Sequence, residues 1–452
     1  MMTVSKKPTI PKSIFKTGDK TAADPQKRIK QAIWLYFFLL IFEGALRKWV
    51  LPELSTPLLI VRDPIALWLL ITSFNRGLLK VNVYVGAIWA LMFISFCTAM
   101  AFGHGNIYVA LFGLRIFVLH FPLIFLIGKV FDEDDVLKMG KTLLWIMIPM
   151  TYLMVLQFFS PQSSWINKGV GGGTETGGYW GALGYFRPPG TFSFTSGLSQ
   201  FYGLAGAFIF YFWLADFKVV KKWLLLIATS CLLLSIPFSI SRTLFFSLEI
   251  SLLFAIVASA RTPRYLSRFI VALGGGAVLL LVLSNFDFFN IGLEIFTYRY
   301  EHSNQGEGGV EGVFFDRFLG SMFGVVMSSN AIPFWGYGLG GGTNVGAVIM
   351  TGSSSFLISE GEWGRLIGEM GFILGISVIV IRALLSIKMV LRAIPAMINK
   401  NFLPWMLMSF SFLIILQGQW AQPTALGFAA LSGGLVMASF RKRVQPRKFK
   451  LQ

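Results

Sequence analysis

Charge is what this sequence has least of. Only 13% of its 452 residues are Asp, Glu, Lys or Arg, about half the share of an ordinary soluble domain. It has two cysteines, Cys97 and Cys231, both inside apolar runs. That excludes a disulfide framework and reads as two small buried hydrophobes. The three histidines, His104, His120 and His302, are widely separated and give no metal-ligand spacing. "GLGGGTN" lacks the following lysine and the strand–helix setting of a phosphate loop, so it reads as a turn. No nucleophile elbow occurs. Acid is scarcer than base, 21 residues against 39, for a formal charge of +18.

Apolar residues make up 55% of the chain. They fall in runs near 20 residues, each long enough to cross a bilayer. The runs do not alternate polar and apolar, which sets aside a β-barrel. We therefore expect an all-α, polytopic membrane protein with about 12 transmembrane helices. Their places are about 29–46, 56–75, 80–102, 107–128, 142–160, 193–215, 223–239, 242–260, 266–284, 367–387, 402–418 and 421–440. Residues 1–28 form a basic tail that runs into an uncleaved anchor. With both termini cytoplasmic, 28 of the 39 Lys and Arg fall on the cytoplasmic side, 8 outside and 3 within spans. This asymmetry follows the positive-inside rule. The basic balance thus reports topology and anionic membrane lipids as partners, and no nucleic acid.

The expected organisation is a basic tail (1–28), nine spans (29–284) with an external loop at 161–192, a large external loop (285–366), three further spans (367–440) and a second basic tail (441–452). The first loop is glycine-rich, "NKGVGGGTETGGYWGALGYFRPPG". The second contains "FFDRFLGSMFGVVMSSN", whose helical apolar spacing suits a surface helix, and then "PFWGYGLGGGTNVG".

The segment "SEGEWGRLIGEMG" sets Glu360, Glu362, Arg365 and Glu369 at the mouth of an apolar run. Charge there costs roughly 2.5 kcal/mol or more unless it faces protein or a cavity. On a helix, Glu362, Arg365 and Glu369 share one face and Gly361, Gly364, Gly368 and Gly371 form another. Arg365 and Glu369, at i and i+4, suit a structural pair. The whole cluster suits the rim of a membrane cavity. Other arginines stand near helix ends: Arg187 in "GYFRPPGTFSFTSG" and Arg242 in "FSISRTLFFSLE". Arg115, in "LFGLRIFVLHF", lies mid-span and calls for a partner or an anionic ligand. Arg62 with Asp63, and Glu43 with Arg47, read as structural pairs. Arg299, His302 and Arg317 read as solvated loop charges. Guanidinium forks bind phosphate through paired hydrogen bonds. The aromatics Tyr179, Trp180, Tyr185, Phe186, Trp335, Tyr337, Trp363 and Trp420 suit sugar stacking or an interfacial belt.

In this order, "RPPGTFSFTSG", "SISRTLFF", "PFWGYGLGGGTN" and "EGEWGRLIGEMGFILG" after a large loop resemble the O-antigen ligase and polymerase superfamily of bacterial envelope-glycan enzymes. The opening "FEGALRKWVLPELSTPLLIVRDPIALWL" is similar to that of exopolysaccharide polymerases in the group. The resemblance implies a GT-C-like helical fold in the bacterial inner membrane. It implies metal-independent transfer of a glycan from an undecaprenyl-diphosphate-linked oligosaccharide at the periplasmic face, with no cofactor and with other polysaccharide assembly proteins as possible partners. It assigns diphosphate binding to Arg187 and Arg242, with Arg365 and Arg115 as further candidates. Glu362 or Glu360 would position or deprotonate the acceptor hydroxyl, Glu369 would orient Arg365, and Trp335, Tyr337 and Trp363 would stack on sugar. Ligases of this group carry a histidine where this chain has Glu360, which favours polymerisation over ligase-type transfer to a lipid or protein. A secondary transporter or lipid-linked glycan flippase is the expectation from another class, and a scaffold of an export machine a third.

Overall fold

A computed structural model describes residues 26–173, 179–215, 219–260, 263–306, 332–352, 358–359 and 361–441. The expected surface helix at 314–330, Arg317 and Glu360 lie outside the described residues.

The chain folds as a helical bundle. Its helices are α1 (Lys27–Ala45), α2 (Asp63–Asn75), α3 (Val83–Ala101), α4 (Ile107–Arg115), α5 (Phe121–Val130), α6 (Glu133–Phe159), α7 (Thr195–Leu214), α8 (Lys222–Ser239), α9 (Arg242–Ser259), α10 (Pro263–Leu283), α11 (Asp287–Gly306), α12 (Asn344–Thr351), α13 (Glu362–Ile398), α14 (Leu403–Gln417) and α15 (Pro423–Ser439). Two strands, β1 (Trp180–Ala182) and β2 (Tyr185–Phe186), form a small hairpin. Each of the twelve helices expected from the apolar runs is present. Ten helical stretches among the described residues are long and apolar enough to cross a membrane; α14 and α15 are apolar but shorter. This is a multi-pass membrane architecture, with ten such helices where apolar runs alone suggested twelve spans.

Local chemistry sets many helix starts. Asn82 accepts from the Val85 amide at 3.0 Å, Ser241 from Leu244 at 3.2 Å, and Asp132 and Asp135 form a reciprocal capping box. Burial follows position in the bundle. Helix α7 is almost wholly enclosed, whereas Phe269 is the one buried residue of α10. An apolar helix that shows most of its surface is suited to lipid contact.

Both ends of the described chain meet at one face. Lys30 Nζ bonds Asp135 at 2.5 Å, and the Glu133 amide donates to the Arg441 carbonyl at 3.0 Å. At the opposite face the 179–193 segment covers the end of α1. There Gly44 lies so close to the backbone of Thr191, Phe192 and Ser193 that no Cβ fits.

Helix α13 does not run straight. At Gly371 the backbone takes φ 77° and ψ 171°, a region open only to glycine. The segment Glu362–Met370 consequently folds back beside the rest of the helix. Glu362 Oε1 lies 2.6 Å from Arg382 Nη1, although twenty residues of straight helix would separate them by about 30 Å. The sequence reading had one span beginning near residue 367. The break turns that segment into a short helix packed on a long one.

The hairpin turn is also strained. Leu183 and Gly184 both have positive φ, 50° and 82°, between the paired Ala182 and Tyr185. Two positive φ values define the type I′ turn, which prefers Asn or Asp first and glycine second.

Two outcomes are expected in thermal unfolding of the full-length protein in nanodiscs. Gly371→Ala, whose methyl would meet the Phe334 carbonyl, should destabilise by about 2 kcal/mol or more. Leu183→Asn should stabilise the hairpin by up to about 1 kcal/mol.

Candidate functional site

Four described charged side chains away from the terminal face lie near one depth. Counting from that face, Glu43 lies beyond Lys27, Arg115 before Val130, Arg242 before Ser259 and Arg382 before Ile398. At about 1.5 Å per residue each is roughly 24 Å along its helix. Burying charge at that depth demands compensation; two of the three groups supply it with carboxylates, and the third is built otherwise.

The first group is the folded-back segment. Glu362, Arg365, Glu369 and Arg382 are at most 4% exposed. Arg365 Nη2 and Nε donate to the two oxygens of Glu362 at 2.9 and 3.0 Å, and its Nη1 donates to Glu369 at 2.8 Å. Arg382 adds a bond to Glu362 and donates to the carbonyls of Ile415 and Gly418 at 2.8 and 2.9 Å, with Trp420 stacked 3.8 Å from its guanidinium. The second Glu369 oxygen accepts from the Gly342 amide at 2.9 Å. All four carboxylate oxygens are thus engaged within the protein. The i,i+4 pair read from the sequence is present, inside a larger network. That network fastens the folded-back helix to the end of α14 and to the glycine-rich loop.

The second group joins α1, α2 and α4–α5. Arg115 Nη1 donates to both oxygens of Asp63, at 2.8 and 2.7 Å. His120 Nε2 lies 2.9 Å from Asp63, and its Nδ1 lies 2.9 Å from Tyr36 Oη. Glu43 pairs with Arg62 at 3.1 Å and with Arg47 at 3.5 Å. Arg62 also donates to the Pro423 carbonyl at 2.6 Å, and Arg47 to Ser193 Oγ at 3.0 Å. The mid-span arginine therefore has a protein partner. Arg62 and Asp63, neighbours in sequence, each bond a different helix. Two π-helical turns, Leu46–Val50 and Ile116–His120, carry Arg47 and His120 into place.

The third group is built differently. Arg187, at the end of the hairpin, lies within electrostatic reach of Arg299 on α11 and Arg242 in the first turn of α9. Burial first, then those two positive neighbours, push the Arg187 guanidinium down to about 10. Its buried Nε makes no hydrogen bond. The amide of Arg187 donates to the Tyr179 carbonyl at 2.7 Å. The Tyr179 hydroxyl in turn donates to the Ser193 carbonyl at 2.8 Å, so the hairpin carrying Arg187 is held by its own backbone. Ser241, which caps α9 beneath Arg242, shares a 2.8 Å hydroxyl bond with Ser199. Arg299 Nη1 donates to the carbonyls of Trp180 and Gly181 at 3.0 and 2.9 Å. Like charges brought together beside a helix N-terminus form a setting for an anion.

Of the four arginines nominated for diphosphate binding, Arg187 and Arg242 lie within electrostatic reach of each other. The structure places Arg365 and Arg115 in separate, carboxylate-paired groups. Among the nominated aromatics, Trp335 stacks on Phe102 at 5.8 Å and Tyr337 is half exposed. Trp363 donates to the Leu416 carbonyl at 3.4 Å. Arg299 was read as a solvated loop charge and joins the cluster instead. The signal was the 287–306 segment, whose apolar residues recur at helical spacing with Arg299 near its end. Comparison with protein-family models, curated proteins and solved structures found no match.

Neutralising Glu362 alone would leave two buried guanidiniums undercompensated. Glu362→Gln should lower stability by about 3–5 kcal/mol, against little change for the exposed Glu53→Gln, in nanodisc unfolding.

Proposed function

We propose that the protein polymerises an envelope or exopolysaccharide, taking a glycan from an undecaprenyl-diphosphate-linked donor at the periplasmic face of the inner membrane, with both termini cytoplasmic. The observation that carries this reading is the cluster of Arg187, Arg242 and Arg299, in which burial and like charge hold Arg187 well below its usual range. A diphosphate would relieve that repulsion and receive forked donors. The GT-C-like fold and the family named by the sequence motifs belong to the same proposal.

In the reaction the acceptor sugar hydroxyl attacks the anomeric carbon of the donor. The new glycosidic C–O bond forms as the bond to the diphosphate oxygen breaks. Undecaprenyl diphosphate leaves with the bonding electron pair, and the hydroxyl proton passes to a base. Arg187, Arg242 and Arg299 stabilise charge growing on the leaving group, a contribution worth about 3 kcal/mol per well-placed donor. The oxygens of Glu362 and Glu369 are taken by guanidinium and amide donors. These two residues and Arg365 therefore act as a positioning network, and Glu360 is the candidate base on sequence position alone.

A second reading, transport or flipping of a lipid-linked glycan, is favoured by one observation. The helix broken at Gly371 beside buried charge is a device transporters use. The two readings differ in product. Proteoliposomes given undecaprenyl-diphosphate-linked oligosaccharide should make longer chains without an ion gradient if the first holds, and only move the glycan across the bilayer if the second does.

Arg187→Gln and Arg242→Gln should each cut polymer yield by 100-fold or so and weaken binding of undecaprenyl diphosphate, with folding retained. Wild-type affinity should fall as pH rises through about 10, where Arg187 loses its proton. Unchanged affinity and chain length in both variants would end the assignment.

A further inference from the structure

An open groove lies beside the arginine cluster, between the hairpin and the C-terminal half of α11. Trp180, Leu183, Tyr298, Arg299 and His302 are among its walls. Its rings are exposed yet held. Trp180 is 66% exposed, and its indole meets the edge of Phe186 at 5.6 Å and 88°. Tyr298 and His302, one turn apart on α11, stack at 3.8 Å and 26°. Arg299 bridges the two walls through the carbonyls of Trp180 and Gly181. Beneath the hairpin and α11, stacked Phe158–Tyr185 and Phe238–Phe288 pairs tie both to α6 and α8. A strained leucine, Leu183, stands 48% exposed at the turn.

Rigid aromatic faces open on one side, with polar ring edges beside them, match the chemistry of a pyranose. Its C–H face lies on a ring, and its hydroxyls bond the Trp, Tyr and His nitrogens and oxygens. A lipid-facing belt has the same aromatics, but here an arginine and a histidine share the groove.

We infer that this groove is a carbohydrate subsite that binds pyranose residues of the glycan, with Trp180 as the platform and the Tyr298–His302 pair as the opposite wall. Arg299 belongs both to the groove and to the arginine cluster, so the sugar nearest the diphosphate lies at the groove's inner end. That placement rests on the function proposed above, whereas carbohydrate binding itself does not.

The test uses the full-length protein in nanodiscs on an array of soluble bacterial polysaccharide fragments carrying neither lipid nor diphosphate. Wild type should bind a subset of fragments. Trp180→Ala and Tyr298→Ala should each weaken that binding by about five-fold or more. Trp180→Phe should keep most of it, and Arg187→Gln should leave it unchanged, all four with wild-type unfolding temperatures. Binding to no fragment, or equal binding by folded Trp180→Ala, overturns the inference. So does a component of brominated-lipid quenching that is lost in Trp180→Phe, because a ring seated in acyl chains is not a sugar platform. Undecaprenyl diphosphate binding is scored separately. If Arg187→Gln leaves it intact while fragment binding depends on Trp180, the diphosphate reading fails and the carbohydrate subsite stands.

Discussion

A single carboxylate, Glu362, shared between Arg365 and Arg382 at about 24 Å from the terminal face, is the constraint around which this end of the bundle is arranged. A charge so deep must be matched, and two guanidiniums from two segments match it. To meet both, the chain must reverse at Gly371. Once reversed, it places Glu369 against the Gly342 amide and Arg382 against the carbonyls that end α14. The break between α14 and α15, otherwise a row of unpaired backbone acceptors, is satisfied by the same guanidinium. Removing one member would strand the others.

The second network obeys the same rule with different parts. Asp63 answers Arg115, and Glu43 answers Arg62 and Arg47. Together the two networks explain how helices with mostly apolar surfaces are fixed relative to one another. Apolar packing inside a bilayer discriminates weakly between registers, because lipid is as apolar as the neighbouring helix. Buried ion pairs discriminate sharply. Against that background the Arg187 cluster stands apart, since there positive groups crowd one another. The Arg187 guanidinium, buried with Arg242 and Arg299 within electrostatic reach, marks where the hairpin, α9 and α11 converge.

The helices were legible because apolar runs and polar breaks report spans directly. Segment boundaries at 107, 242 and 421–423 differ from the observed ones by at most a few residues. The short interaction between Arg365 and Glu369 was legible too, being local to one helix. The candidate site was legible in part. Arg187 and Arg242 stood out beside prolines, serines and threonines at helix starts, and they lie within electrostatic reach of each other. The partners of Arg115 and Arg62 were hidden, because an adjacent Arg–Asp pair in sequence gives no hint that the two side chains serve different helices. Arg382 and His120 were hidden for the same reason.

What the amino-acid order determined alone is the class of molecule: a basic-tailed, multi-pass helical protein, with helices placed by apolar runs and several of them started by local caps. Which charges neutralise one another was decided only by tertiary structure. The reason is range. Helix formation and insertion depend on residues within one segment, whereas a buried ion pair depends on two segments arriving at the same depth. Glu362 and Arg382 do so only because Gly371 folds the helix back.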